Sequence, residues 1–305
     1  MTLRRRPDGR NRDGFFLNLS GRKIEQPGRD VLIDPLATGN LTITTDLTQL
    51  AILCSSAVLA GIVNSVAGGG TLLTFPALTL VLGPSAAATV MANATSTVAL
   101  CPGSIASIWG YRRELAGTGP WIRLLIIPSL IGGIIGTCLV AQRDPEEFQR
   151  LVPWLILTAT TLFLLQPAIS QWTGIGKPHA APSVGLKVGL IAFQFLVALY
   201  GGYFGAGIGI LMLSALALMG ISDIHRMNGV KTILASAING VSVVLFIWLD
   251  KVNWSMAVPM IVSAIIGGYL GASIARRLDK KLVRYAVVAI GLVLSTFYFL
   301  KIYSE

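Results

Sequence analysis

From Leu47 to Tyr111 the chain carries no Asp, Glu, Lys, Arg or His. A helix crosses the hydrocarbon core of a bilayer in roughly 20 apolar residues, so this run is long enough to cross more than once. A soluble fold would have to bury it in a very large core with no charged face. The composition points the same way. Of 305 residues, 53% are hydrophobic and only 12% charged, with a mean hydropathy of +0.71, whereas soluble domains average about 25% charged. Inside a membrane the backbone must satisfy its own hydrogen bonds, which helices do within one segment. The expected fold class is therefore an all-α integral membrane protein, multi-pass, with the lipid bilayer as its principal partner. The expected location is the cell membrane.

A net charge of +10 invites a nucleic-acid reading. No nucleic-acid module is present, and many of the basic residues sit in short loops between apolar runs, where they set membrane topology. Cys54, Cys101 and Cys138 lie in or beside apolar spans without a CxxC pair, as small buried residues do. With two histidines in the chain, no metal or other cofactor is expected. The pattern GxxxxGK[ST] is absent, which argues against ATP hydrolysis. A paired His, Cys or carboxylate inside the apolar region, as an enzyme would need, is not evident.

Residues 1–45 are polar, basic and rich in turn formers, and read as a disordered tail rather than a signal peptide. Beyond them the chain divides into a first transmembrane repeat at 46–169, a linker at 170–185 and a second repeat at 186–302. Six apolar segments are long enough to span: 86–110, 120–140, 151–169, 228–249, 254–275 and 283–302. Four shorter ones form two pairs, each split by glycines, "AGGG" at Ala67–Gly70 and "YGGYFGAG" at Tyr200–Gly207. Aligning Gly70 with Gly207 also brings Gly83 onto Gly220. After a shift of two residues, Asn93 falls on Asn228 and "GGIIG" at 132–136 on "GGYLG" at 267–271.

Two topologies compete. If each split pair crosses once, the basic loops around Arg112, Arg113 and Arg123 and around Arg276 to Arg284 face opposite sides, against the positive-inside tendency. If each pair enters and returns on the same side, each half keeps three crossings and the second half is inverted. Both basic loops then face the cytoplasm, and the basic tail lies outside. The second arrangement is expected: two inverted repeats, each a glycine-broken, re-entrant helix pair followed by three transmembrane helices.

Irregular backbone at membrane depth survives only inside protein or beside a watery cavity. A helix starting near Thr71 would present unpaired N–H groups and the positive end of its dipole, and so accept an anion without a charged side chain. The second half repeats the device at Gly205, Gly207 and Gly209. The plainer reading is that these glycines only allow helices to pack closely, and it is the one expected for the two GGxxG pairs. Beside the first break lie Asn64, Ser65, Thr71 and Thr74, followed by Asn93, Thr95, Ser96 and Thr97; the second half offers Asn228, Thr232, Ser236 and Asn239. Lys231 is a charge well inside an apolar run, able to pair with an anion or to snorkel to the surface. Asn93 and Asn228 could line a path or tie helices together.

These residues carry a resemblance. "GIVNSVAGGGTLLTFPAL", followed by "ANATSTVALCPGS" and, in the second half, "GGYFGAGIGILML" and "MNGVKTILASAING", resemble the TauE/SafE family of sulfite exporter-like membrane permeases over roughly 47–302. The long basic tail departs from that family's usual short start. The resemblance implies two repeats and a secondary transporter for small sulfur-containing anions such as sulfite, thiosulfate or sulfoacetate. It implies a substrate path formed by Asn64, Gly68, Gly69, Gly70, Thr71, Asn93, Gly205, Gly207, Asn228 and Lys231. Coupling to protons is left open, with His225 as the candidate carrier. A channel-like uncoupled path and a non-transporting scaffold are the alternatives. The sequence says nothing of oligomeric state.

Overall fold

A computed structural model describes residues 46–66, 68–173, 183–274 and 280–303. The expectations for the tail and most of the linker lie outside them. The described residues form ten helices and no strand: α1 (Leu47–Val66), α2 (Thr71–Leu82), α3 (Ala86–Gly110), α4 (Gly119–Gln142), α5 (Pro145–Thr173), α6 (Val184–Tyr203), α7 (Ile208–Leu218), α8 (Ile224–Trp248), α9 (Trp254–Ile274) and α10 (Lys280–Tyr303). Seven of these are long and apolar enough to cross a membrane: α1, α4, α5, α6, α8, α9 and α10. The division by sequence differs in two places. Helices α1 and α6, expected as short arms of split pairs, are each 20 residues long, about 30 Å. Helix α3 has 25 residues but falls outside the apolar set, because "NATST" dilutes its centre.

The helices begin where local chemistry says they should. Ser85 Oγ accepts from Ala88 N at the start of α3, and Asp223 Oδ1 accepts from His225 N and Arg226 N at the start of α8; both are side-chain N-caps. Helices α2 and α7 start instead at Gly70 and Gly207, with no side-chain cap.

The most extensive helix contacts are matched when α1–α5 and α6–α10 are exchanged. Helix α1 lies on α9 and α6 on α4; α3 lies on α9 and α8 on α4; α3 meets α8, and α5 meets α10. The first of the helices α1–α5 thus packs on the fourth of α6–α10, and the first of α6–α10 on the fourth of α1–α5. Both of those contacts are glycine contacts. A Cβ at Gly132 or Gly136 would come within 2.6 Å of Phe195 O or 2.0 Å of Leu199 O; at Gly267 or Gly271 it would reach Val58 O at 2.1 Å or Ile62 Cα at 2.7 Å. The GGxxG pairs therefore do what was expected of them, letting helix backbones touch. Because 132 meets 195 and 136 meets 199, α4 and α6 run parallel, as do α1 and α9.

Two ends of the bundle can be told apart. At one, Gln149 near the start of α5 donates to Pro84 O, between α2 and α3, and Tyr303 at the end of α10 donates to Arg150 O. At the other, Tyr111 and Leu115, after α3, lie against Gly229 near the start of α8.

Candidate functional site

The two glycine breaks adjoin each other. Gly68 has φ +72°, Gly205 +84° and Gly207 +79°, a left-handed backbone that glycine adopts without strain. A Cβ on Gly68 would lie 3.2 Å from Gly209 Cα, and one on Gly205 would lie 3.7 Å from Thr71 Oγ1. The break of one half thus abuts the helix start of the other. A small cavity lies where they adjoin, with about 30 Å³ open to the centre of a water molecule. That is enough for water-sized occupants. Asn64, Gly68, Thr71, Gly205, Ile208 and Gly209 line it from the breaks; Thr97, Leu100, Ser104 and Ser107 line it from α3; Lys231, Thr232, Ala235 and Asn239 line it from α8.

Among the described residues, Lys231 is the only ionisable side chain in that lining. It is 2% exposed, and its Nζ has no hydrogen-bond partner among the described residues. The ammonium lies 3.9 Å from where a Gly68 Cβ would stand. It has therefore not snorkelled to the surface. Burying an unpaired charge is expensive, and here the compensating field comes from the positive ends of neither helix, since those repel it. The remaining polar groups are largely engaged. Asn64 Nδ2 donates to Ser104 Oγ at 2.9 Å, Ser107 Oγ donates to Gly103 O, and Thr232 Oγ1 donates to Asn228 O.

Of the ten residues expected along a path, five line the cavity: Asn64, Gly68, Thr71, Gly205 and Lys231. The other five stand behind it or away from it. A Cβ on Gly69 would sit 2.2 Å from the Phe163 ring, and one on Gly70 would sit 2.6 Å from Ala60 O. Both glycines make room for neighbours on α5 and α1. Gly207 faces Ala159 and Leu162 of α5. Asn93 Nδ2 donates to Tyr203 O at 3.1 Å, tying α3 to the end of α6, and Asn228 Nδ2 donates to its own helix at Ile224 O. His225 is exposed in the first turn of α8.

The structure also changes the alignment of the halves. Helices α3 and α8 have the same length and equivalent caps, Ser85 and Asp223. That frame pairs Asn93 with Lys231 rather than with Asn228. The contacts agree: Asn93 reaches the end of α6, and Lys231 reaches the break after α1. Ser104 and Ser107 went unnoticed as cavity residues. Their signal was the three- to four-residue spacing Leu100, Ser104, Ser107, which puts them on one face of α3.

Gly69→Ala is expected to cost about 1–3 kcal/mol by overpacking. Phe163→Leu in the same chain should recover most of that loss. Thermal unfolding of the four proteins as a double-mutant cycle measures the coupling; additive losses would show that Gly69 is needed for another reason.

The family model described as sulfite exporter TauE/SafE matches residues 53–298. The chain is 28% identical over 247 residues to "Probable membrane transporter protein YfcA" of Escherichia coli (strain K12), covering 81% of this chain and 88% of that one. A "Probable membrane transporter protein" of Haemophilus influenzae is also 28% identical over 247 residues, with 81% and 92% covered. "Probable membrane transporter protein ORF9" of Sinorhizobium sp is 24% identical over 248 residues, with 81% and 90% covered. No solved structure matches significantly. With ten helices, seven of them long and apolar enough to span, and a family match over most of its length, the chain is a multi-pass membrane transporter belonging to the TauE/SafE family.

Proposed function

We propose that this transporter carries a small anion, a sulfur oxyanion or organosulfonate of the sulfite, thiosulfate or sulfoacetate type, across the cell membrane by alternating access. The observation that carries the reading is Lys231. Its buried Nζ has no hydrogen-bond partner among the described residues, and it lines the cavity into which α2 and α7 both start without side-chain caps. An anion there would neutralise the lysine and accept from helix-start N–H groups at once. Broken helices meeting at a repeat interface are the device by which secondary transporters hold ions at mid-membrane.

The inverted arrangement is supported by where helices begin. The start of α3 neighbours the start of α5 and the end of α10, whereas the start of α8 neighbours the end of α3. Equivalent helices of the two halves therefore start from opposite ends. Helix α1 runs parallel to α9, and the chain after α2 returns to the end where α5 starts, as a re-entrant pair requires.

The test is flux into and out of proteoliposomes for sulfite, thiosulfate, sulfoacetate and chloride, with and without a pH gradient. A saturable flux of one sulfur anion, with chloride excluded, is the expected result. Flux that never saturates would favour an uncoupled channel, and no flux of any sulfur anion would overturn the reading.

A further inference from the structure

The two half-helices are not equally covered. In α7, nine of eleven residues are buried; in α2, four of twelve are. The difference lies in the fifth helix of each half. Helix α5 packs against α7 at Gly207 through Ala159 and Leu162, but α10 leaves a crevice of about 380 Å³ along α2. Its walls are apolar, formed by Leu73, Pro76 and Ala77 on one side and Ile290, Leu294 and Phe297 on the other. Its outer rim is exposed apolar surface, with Leu80 73% and Phe297 55% exposed. In a membrane-spanning chain that surface faces lipid. A hydrogen bond between Thr79 and Tyr298 bridges the crevice.

The crevice has a polar end. Lys301 and Gln149 close it beside Gly83 and Pro84. Gln149 is engaged with Pro84 O. Lys301 rests over the Phe297 ring, with Nζ 5.8 Å from the centroid, and makes no ion pair among the described residues. Among the described residues no carboxylate lines the crevice. A slot with apolar walls, open to the acyl region and ending in one cation at the end of the bundle, has the shape and charge order of an anionic phospholipid.

We propose that the α2–α10 crevice binds one acyl chain of an anionic phospholipid, with its phosphate at Lys301. The lipid completes the packing of α2 that α5 supplies to α7. This site is separate from the Lys231 cavity and does not depend on what that cavity carries.

Native mass spectrometry of the detergent-purified, delipidated protein tests this. Palmitoyl-oleoyl phosphatidylglycerol or the matched phosphatidylcholine is added back in turn. The wild type should retain one phosphatidylglycerol with about five-fold preference over phosphatidylcholine, the effect of one lysine near a lipid headgroup. Lys301→Gln should bring that preference to about one. Ala77→Trp, which fills the slot, should remove the retained lipid while the protein still unfolds cooperatively. A folded Ala77→Trp variant that keeps its lipid would overturn the proposal. So would an undiminished headgroup preference in Lys301→Gln, a surface change that leaves folding intact. A lysine that only suits the negative end of α10 would give that last result.

Discussion

Replacing Lys231 with methionine should lower anion flux by about 30-fold or more at matched protein levels. Losing one partner of a buried charge-assisted contact costs about 2 kcal/mol or more. Methionine keeps most of the volume, so packing is not the cause. The same variant should be at least as stable as the wild type when no anion is present. The wild-type ammonium is buried without a hydrogen-bond partner among the described residues, and removing an unpaired buried charge relieves a desolvation penalty. Anion-dependent protection against thermal unfolding, set by RT ln(1 + [L]/Kd), should vanish in the variant. Flux equal to wild type, or a large fall in Tm without anion, would assign Lys231 a structural role instead.

Gly136→Ala is expected to be the most damaging single methyl in the described bundle. Its Cβ would meet Leu199 O at 2.0 Å and Tyr203 N at 2.8 Å, both backbone atoms that cannot rotate away. Overpacking of that kind costs about 3 kcal/mol. The contact also lies at the last residue of α6, next to the second break, so flux should fall further than folded yield does. Gly240→Ala is the control. Nothing lies within 4 Å of its added Cβ, and it should stabilise α8 by about 0.5–1 kcal/mol. Detergent-solubilised yield and thermal unfolding compare the two; equal stability would show that α4 and α6 can separate freely.

The features most legible in the sequence were those that punctuate it. Three glycines in an apolar run placed a helix start near Thr71, and the "GAG" of the second half placed one near Ile208; α2 and α7 begin at those residues. Doubled glycines at helical spacing marked the α4–α6 and α9–α1 contacts, because only a missing side chain lets two backbones touch. What stayed hidden depended on three-dimensional register. Asn93 and Asn228 look equivalent because they are the same residue, yet the caps at Ser85 and Asp223 set the frame that pairs Asn93 with Lys231. Gly69 and Gly70 sit in the same motif as Gly68 but answer to Phe163 and Ala60, distant in sequence or behind the break. The α2–α10 crevice leaves no trace in sequence at all, since it arises from how far one helix stands from another.

The single lysine has a thermodynamic consequence for a machine built from two matching halves. If the halves trade conformations to open one side and then the other, perfect copies would make the two open states equal in energy. Here one half presents an ammonium to the shared cavity, whereas the equivalent position of the other holds an amide outside that lining, bonded to Tyr203 O. One half-helix is also packed on most of its surface while its counterpart is not. Under the proposed alternating access that asymmetry would break the degeneracy and give the resting transporter a preferred side before any gradient acts on it.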